Sequence, residues 1–323
     1  MYDVITLGSA TVDVFVKTKK PQILKHQGHD DVCYAIGQKV LVDDLHVDTG
    51  GGGTNTAVAF SRLGLKTGWV GKVGDDLHAK TVLDEMKRER VDFLGAQSAG
   101  MTGYSVILTG LEQDRTILTY KGVNDQLTPN DVPWKKLNTR WFYFSAMMGK
   151  SFETLKRAAL FAKKNGIKYA FNPSLYLAKQ GAKALKPIIQ DCDLLVLNRE
   201  EAQALLGTQD RCVEMLPELQ KYAKIAVITD GPKTAHAYNG IKHYALEPPN
   251  LKIVETTGAG DAFAAGMLAG LFIKKDISQA MQLGMAESGS VIQHIGAKQK
   301  LLTRAEAERW MRTRPAKLTI ARL

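Results

Sequence analysis

Apolar positions along this chain alternate between short β-branched runs and stretches with helical spacing. Val4 to Leu7 is a compact apolar run ended by Gly8, the pattern of a strand buried in a parallel sheet. From Val14 to Val47 the chain instead alternates apolar and polar, with Val14 and Val16, then Val40 and Val42, opposed to Leu41 and Asp43. That period of two predicts antiparallel, half-exposed strands, an excursion from the main sheet. After Gly50 to Gly53, the run TNTAVAFSRLGL sets Ala57, Phe60, Leu63 and Leu65 near helical spacing, with Gly64 as its stop. TGWVGKVG then reads as a strand, and DLHAKTVLDEMKRERV as an amphipathic helix with Leu77, Val82, Leu83 and Met86 turned inward.

The segments GYSVILTG and RTILTYK flank a polar connection at Leu111, Glu112, Gln113 and Asp114, which predicts a hairpin able to pair with the early excursion. From Trp141 the rhythm is strand (WFYFSA), helix (FETLKRAALFAKKNG), strand (KYAFNPS), helix (179 to 190), strand (DLLVLN) and helix (EEAQALLG). KIAVITDG adds a strand and His236 to Tyr244 a hairpin; helices are expected over most of 276 to 294 and 303 to 312. Repeated βα units predict an α/β fold, a doubly wound and mainly parallel sheet flanked by helices, with a small β-sheet appendage. Lacking repeats and low-complexity linkers, residues 1 to 323 are expected to form one domain.

Composition narrows the function classes without choosing among them. Hydrophobic residues make up 45% and charged residues 24%, which excludes a disordered or fibrous chain. The excess of 43 Lys and Arg over 33 Asp and Glu gives a net charge of +10, favouring anionic partners in general. The cations are scattered, with short clusters at Lys17, Lys19 and Lys20 and in the 304 to 322 tail, so solvated faces are expected rather than a nucleic-acid partner. Cys33, Cys192 and Cys212 have neither CxxC pairing nor a His at zinc spacing, consistent with a reducing, cytoplasmic setting. The N-terminus lacks a basic leader and no apolar stretch reaches membrane-spanning length, so no membrane partner is expected.

The segment with the most chemistry is ETTGAGDAF, Glu255 to Phe263, followed by the small-residue helix AAGMLAGL. Glycines at 258 and 260 let backbone N–H groups turn toward one point, and the helix that starts there adds its positive end. Asp261 in that anion hole could take a proton from an attacking hydroxyl while the amides hold phosphoryl oxygens. The alternative is a glycine-rich turn with Asp261 as an ordinary helix cap.

DTGGGGTNTAVAFSRLG tips that balance. Together with ETTGAGDAF it resembles the PfkB/ribokinase family of carbohydrate and nucleoside kinases, which pairs a GG motif and an Asn near the N-terminus with (D)TTGAGD(A/T)F near the C-terminus. Ordered between these lie Asp13, VGDD at Val73 to Asp76, Asn172 with Pro173, Asn198 with Glu201, and Thr229 with Gly231. The resemblance implies a ribokinase-like fold whose β appendage, about 14 to 49 and 101 to 123, is a lid hinged at Gly50 and Gly51. It implies that Gly50, Gly51, Asp13 and Asn55 serve the substrate, the last two through its hydroxyls, as a polyol needs fixed carboxylate and amide partners. Asp261 would be the base, with the amides of Gly258, Ala259, Gly260 and Asp261 as anion hole. Asn198, Thr229 and Gly231 would meet the nucleotide, the stretch from Val291 to Ala297 would line its adenine pocket, and Glu201 would organise Mg²⁺ largely through water. Asn198 and Glu201 also have the spacing of a capping box, and the two roles are compatible.

The implied activity is ATP-dependent phosphorylation of a hydroxymethyl group on a sugar or nucleoside, with ATP and Mg²⁺ required. In some members the region of Glu255 binds a monovalent cation, but the usual residue there is Asp, one methylene shorter. YFSAMMGKS carries no acidic residue where some sugar kinases add a hydroxyl ligand, so the acceptor is open. Arg115 leaves room for a phosphorylated sugar, with a surface arginine as the plainer reading. Lys72 and Lys121 could touch phosphates, with solvated lysines as the plainer reading. A nicotinamide dehydrogenase is excluded because LGSATVD does not supply GxGxxG after the first strand. A non-catalytic nucleotide or sugar sensor would keep the fold, but Asp261 and the anion-hole glycines are intact. Exposed edges on the β segment predict a homodimer through the lid.

Overall fold

The computed structural model describes residues 1–18, 22–26, 30–111 and 114–323. Its elements in chain order are β1 (Tyr2–Leu7), β2 (Thr11–Thr18), β3 (Gln22–Lys25), β4 (Asp30–Cys33), β5 (Val42–Gly50), α1 (Gly52–Arg62), β6 (Thr67–Val70), β7 (Lys72–Val73), α2 (Leu77–Arg88), β8 (Val91–Phe93), β9 (Ala96–Gln97), β10 (Gly103–Leu111) and β11 (Asp114–Tyr120). There follow β12 (Thr139–Phe144), α3 (Gly149–Lys164), β13 (Lys168–Phe171), α4 (Ser174–Ala178), α5 (Gly181–Ile189), β14 (Cys192–Asn198), α6 (Arg199–Leu206), α7 (Cys212–Gln220), β15 (Ala223–Thr229), β16 (Ala235–Tyr238), β17 (His243–Glu247), α8 (Ala259–Lys274), α9 (Ile277–Val291), α10 (Arg304–Thr313) and β18 (Lys317–Ala321).

A ten-stranded sheet runs β18-β17-β16-β15-β14-β13-β12-β1-β6-β8. The pairings from β15 to β8 are parallel, and β16, β17 and β18 extend one edge antiparallel. Side-chain alternation along each strand feeds two cores. Val4, Tyr143, Ala170 and Leu194 pack with α1, α8 and α9 on one face, while Ile5, Leu7, Phe142, Phe144 and Phe171 pack with α3, α5, α6 and α7 on the other. Each fully buried Leu, Ile or Phe contributes about 1.5–3 kcal/mol relative to exposure, so the doubly wound sheet follows from the apolar runs. The chain leaves β1 for β6 on one side and finds β12 on the other. The carboxyl ends of β1 and β12 therefore form the switch point where α/β sheets place ligands.

A separate four-stranded sheet, β11-β10-β2-β5, stands beyond that switch point. β2 pairs antiparallel with β5 and parallel with β10, and β10 forms a hairpin with β11. The expected connection at 112 and 113 lies outside the described residues, as does the Lys19 and Lys20 part of the first basic cluster. Register puts Asp13, Ser105 and Phe15 on one face of this sheet and Val14, Val47, Val106 and Leu118 on the other.

Some expectations need correction. Leu77 is 81% exposed rather than inward, because Asp76 caps α2 and Leu77 precedes its packed face of Val82 and Met86. The helix expected over 179 to 190 is α5, while the short α4 before it, where the KYAFNPS strand was expected to run on to Ser174, was not foreseen. Helix α7 and strand β18 went unforeseen, since Pro217 masks the one and the basic tail the other. Among the described residues no helix is long and apolar enough to cross a membrane. All three cysteines are free.

Candidate active site

Strand β1 ends at Leu7, and the chain crosses into the four-stranded sheet and returns at Gly50 and Gly51 to start α1. Gly51 has φ +95°, and a Cβ there would lie 2.5 Å from the Ser9 carbonyl, so this sharp entry admits only glycine. One turn into α1, Asn55 is 5% exposed, and its Nδ2 donates to Asp261 Oδ2 at 2.8 Å. Two residues 206 positions apart thus meet above the sheet. Gly52 closes the same space: a Cβ there would come within 2.1 Å of Ser145 Oγ, just beyond β12, and 3.3 Å of Asp261 Oδ1.

Asp261 sits in the first turn of α8, whose N-cap is Gly258 in the left-handed conformation, φ +82°. A Cβ on Gly258 would lie 2.5 Å from the Ala297 Cβ, so glycine is required there twice over. The Ala259 N–H turns back to the Thr256 carbonyl at 3.2 Å, and the Ala262 N–H reaches the Gly258 carbonyl at 2.9 Å. The N–H groups of Gly260 and Asp261 remain as first-turn donors with no acceptor inside the helix.

Electrostatics here are dominated by burial. The Asp261 carboxyl is held above the usual carboxylate range, first by desolvation and then by the charge of Asp13; the Asn55 hydrogen bond and the Lys298 ammonium pull the other way without prevailing. A helix N-terminus favours an anion by only about 0.3–1 kcal/mol. Asp13, 6% exposed on β2, is raised for the same leading reason, against the Thr11 and Ser105 hydroxyls and Lys298. Gly50 lies against it, since a Cβ there would fall 1.9 Å from Asp13 Oδ2. Asp13 Oδ1 and Asn55 Oδ1 are buried acceptors with no hydrogen-bond donor among the described residues.

The second group gathers at the carboxyl ends of β14 and β15, where Asn198 pairs in register with Thr229 and Gly231 follows two residues on with φ +54°. Asn198 Oδ1 accepts from the Glu201 N–H and Glu201 Oε2 from the Asn198 N–H, both at 2.8 Å, so the capping box is present. Burial, with the charges of Asp261 and Glu200, pushes the Glu201 carboxyl up to about 7. Tyr143, at the end of β12, has a fully buried hydroxyl without a partner; burial raises it, and Asp261 and Glu201 add to the effect. The two groups therefore feel each other's charge across the end of the sheet.

Sequence reasoning missed Lys298 and Ser145 and misjudged others. Lys298 is 2% exposed and donates to Glu85 Oε2 at 2.7 Å, where Thr49 also donates. Its signal was weak: one lysine in a loop. Arg115 is no surface arginine, because it donates to the Thr256 hydroxyl and faces Glu255. Lys72 is not solvated; it pairs with Asp131 at 3.1 Å. Asp76 of the VGDD segment caps α2 and holds Thr102, a scaffolding role. In the stretch expected at the adenine pocket, Ala297 packs on Gly258, and Gly296 approaches Asp48 on β5.

A model of the pfkB family carbohydrate kinases matches residues 3–304. The chain belongs to that family. As a PfkB kinase it is 28% identical over 253 residues to an uncharacterized sugar kinase from Archaeoglobus fulgidus, covering 76% of this chain and 98% of that one. It is 26% identical over 307 residues to a ribokinase from Lactococcus lactis, covering 92% and 93%. Among solved structures, the adenosine kinase from Sinorhizobium meliloti superposes with a TM-score of 0.82 at 24% identity, covering 95% of this chain and 98% of that one. The ribokinase-like fold inferred from the motifs is thereby shown, and this chain is a carbohydrate kinase of the PfkB family.

Proposed function

We propose that this kinase transfers the terminal phosphoryl group of ATP to a hydroxymethyl group of a sugar or nucleoside, with Asp261 as general base. The observation that carries the reading is the pair of buried, donorless acceptors, Asp13 Oδ1 and Asn55 Oδ1, beside an Asp261 that Asn55 holds in place. A buried acceptor without a donor costs about 1–3 kcal/mol, and a polyol supplies O–H donors at that spot. Asp261, raised by burial, is a stronger base than a solvated carboxylate and is close enough to Asn55 to share a substrate with it. The Gly260 and Asp261 amides, with the helix end behind them, would hold phosphoryl oxygens.

The nucleotide would lie along Asn198, Thr229 and Gly231. Glu201 suits a magnesium ion held through water: its Oε2 is committed to the helix cap, leaving Oε1, and its high affinity for protons marks a carboxylate short of positive charge. When bound with the phosphates, Mg²⁺ supplies charge neutralisation for the transferring group.

In this reading the four-stranded sheet is a lid hinged at Gly50 and Gly51, closing the site against water. Its outward face shows Leu45, Val47, Leu118 and Tyr120, each more than half exposed, and a second copy meeting it there would bury them in a homodimer. Light scattering at micromolar concentration should report a dimer, and a monomer contradicts that part.

A panel of ribose, adenosine, cytidine, fructose and sugar phosphates, each with ATP and Mg²⁺, tests the activity. Acceptor-dependent ADP release from at least one neutral polyol supports the reading. Release only with sugar phosphates, or none, refutes it.

A further inference from the structure

The loop leading into α8 holds a carboxylate whose charge is already answered from within the chain. The Glu255 side chain is 9% exposed. Its Oε1 accepts from the Thr256 N–H at 2.8 Å, the Thr257 N–H at 2.9 Å and the Thr257 hydroxyl at 2.8 Å. Arg115 Nε stands 3.6 Å from that same oxygen, and Arg115 Nη1 donates to the Thr256 hydroxyl. Arg115 comes from β11, an edge strand of the four-stranded sheet, so this contact spans from that sheet to the loop that ends in Gly258.

A buried carboxylate needs a counter-charge and donors for its lone pairs. Glu255 has both. Its extra methylene over Asp lets it curl back onto the amides that follow it. A monovalent cation would instead need bare oxygens turned toward one point, and Glu255 Oε1 and the Thr256 hydroxyl are engaged by N–H and O–H donors. A second cation there would also face the positive charge of a guanidinium. The donor set does not fit an alkali-metal ion.

We infer that Arg115 stands in for a monovalent cation beside the anion hole, so that phosphotransfer by this chain needs neither K⁺ nor Na⁺. Arg115 is then a positioning residue that acts through Glu255 and Thr256, and it links docking of the four-stranded sheet to the placement of Gly258. The inference rests on the kinase reading for its activity arm, and its first test is independent of turnover.

Thermal melting of the wild-type chain is compared in KCl, NaCl and choline chloride at equal ionic strength. Equal melting temperatures are expected; a K⁺- or Na⁺-specific rise overturns the inference. Turnover is then measured with tetramethylammonium or potassium as the monovalent salt. Rates within about threefold are expected, and a larger gain with potassium overturns the inference. Arg115→Gln should lose about tenfold in kcat in alkali-free buffer, part of it returning with KCl but not with choline chloride. A loss that no cation alters marks a merely structural role and contradicts the assignment, as does a variant with wild-type kcat. If no acceptor is turned over in any salt, the kinase reading fails, while the melting series still decides the cation question.

Discussion

Replacing Gly50 by Ala should damage acceptor use far more than stability. Gly50 closes β5 without a left-handed backbone, so Ala can adopt its conformation. The added methyl would lie 1.9 Å from Asp13 Oδ2, where ordinary contact begins at 3.4 Å, so the carboxylate must retreat by about 1.5 Å. The clash is with the end of a movable side chain, and overpacking of that sort costs at the low end of about 1–3 kcal/mol. A displacement of about 1 Å in a positioning group can cost about 10²-fold in rate, or roughly 2.7 kcal/mol. Acceptor kcat/KM should therefore fall about 100-fold while the KM for ATP holds and melting drops by a few degrees. Initial rates of coupled ADP release against acceptor and against ATP would separate these effects. A Gly50→Ala enzyme with wild-type acceptor kcat/KM would refute the role of the Asp13 carboxylate.

Two further outcomes follow from the buried carboxylates. Because desolvation and Asp13 hold Asp261 above the usual carboxylate range, turnover should fall on the acid side at a pH above the free-Asp value of about 3.9. A kcat profile that stays flat down to the free-Asp value contradicts that assignment. Glu287 is fully buried with Oε1 unpartnered, and burial pushes it up to about 8. A group raised on folding binds its proton in the folded state and not in the unfolded one between the two values, so its contribution is present below the unfolded value and is lost as pH rises toward about 8. The slope is on the order of 1.4 kcal/mol per pH unit for one proton. Glu287→Gln should thus gain melting temperature relative to wild type in mildly alkaline buffer and little in mildly acidic buffer; a pH-independent difference would contradict this.

The strands of the parallel sheet were legible because each carries a nearly continuous aliphatic or aromatic run that only a two-sided core accommodates, as in Val4 to Leu7 and Leu194 to Leu197. Helix α7 was not, since Pro217 lies inside it and reads as a breaker. At the site, the glycine motifs announced themselves because a positive φ at Gly51 and Gly258 leaves few alternatives. The meeting of Asn55 with Asp261 was implied by the family resemblance of the two glycine motifs. Lys298, Ser145 and Arg115 carried no such mark. Their significance lies in what they touch across long sequence separations, and a single Lys, Ser or Arg has no local conformational signature.

The claim that Asp261 draws the proton from the acceptor is tested most directly by single-turnover transfer from labelled ATP in Asp261→Asn. Binding of ATP and acceptor is followed by calorimetry in the same buffer. The variant should melt near the wild type and bind both ligands with similar affinity, yet transfer phosphate about 10²–10⁴-fold more slowly. Transfer within a few-fold of wild type, with both ligands bound, would show that the carboxylate at the head of α8 is not the base.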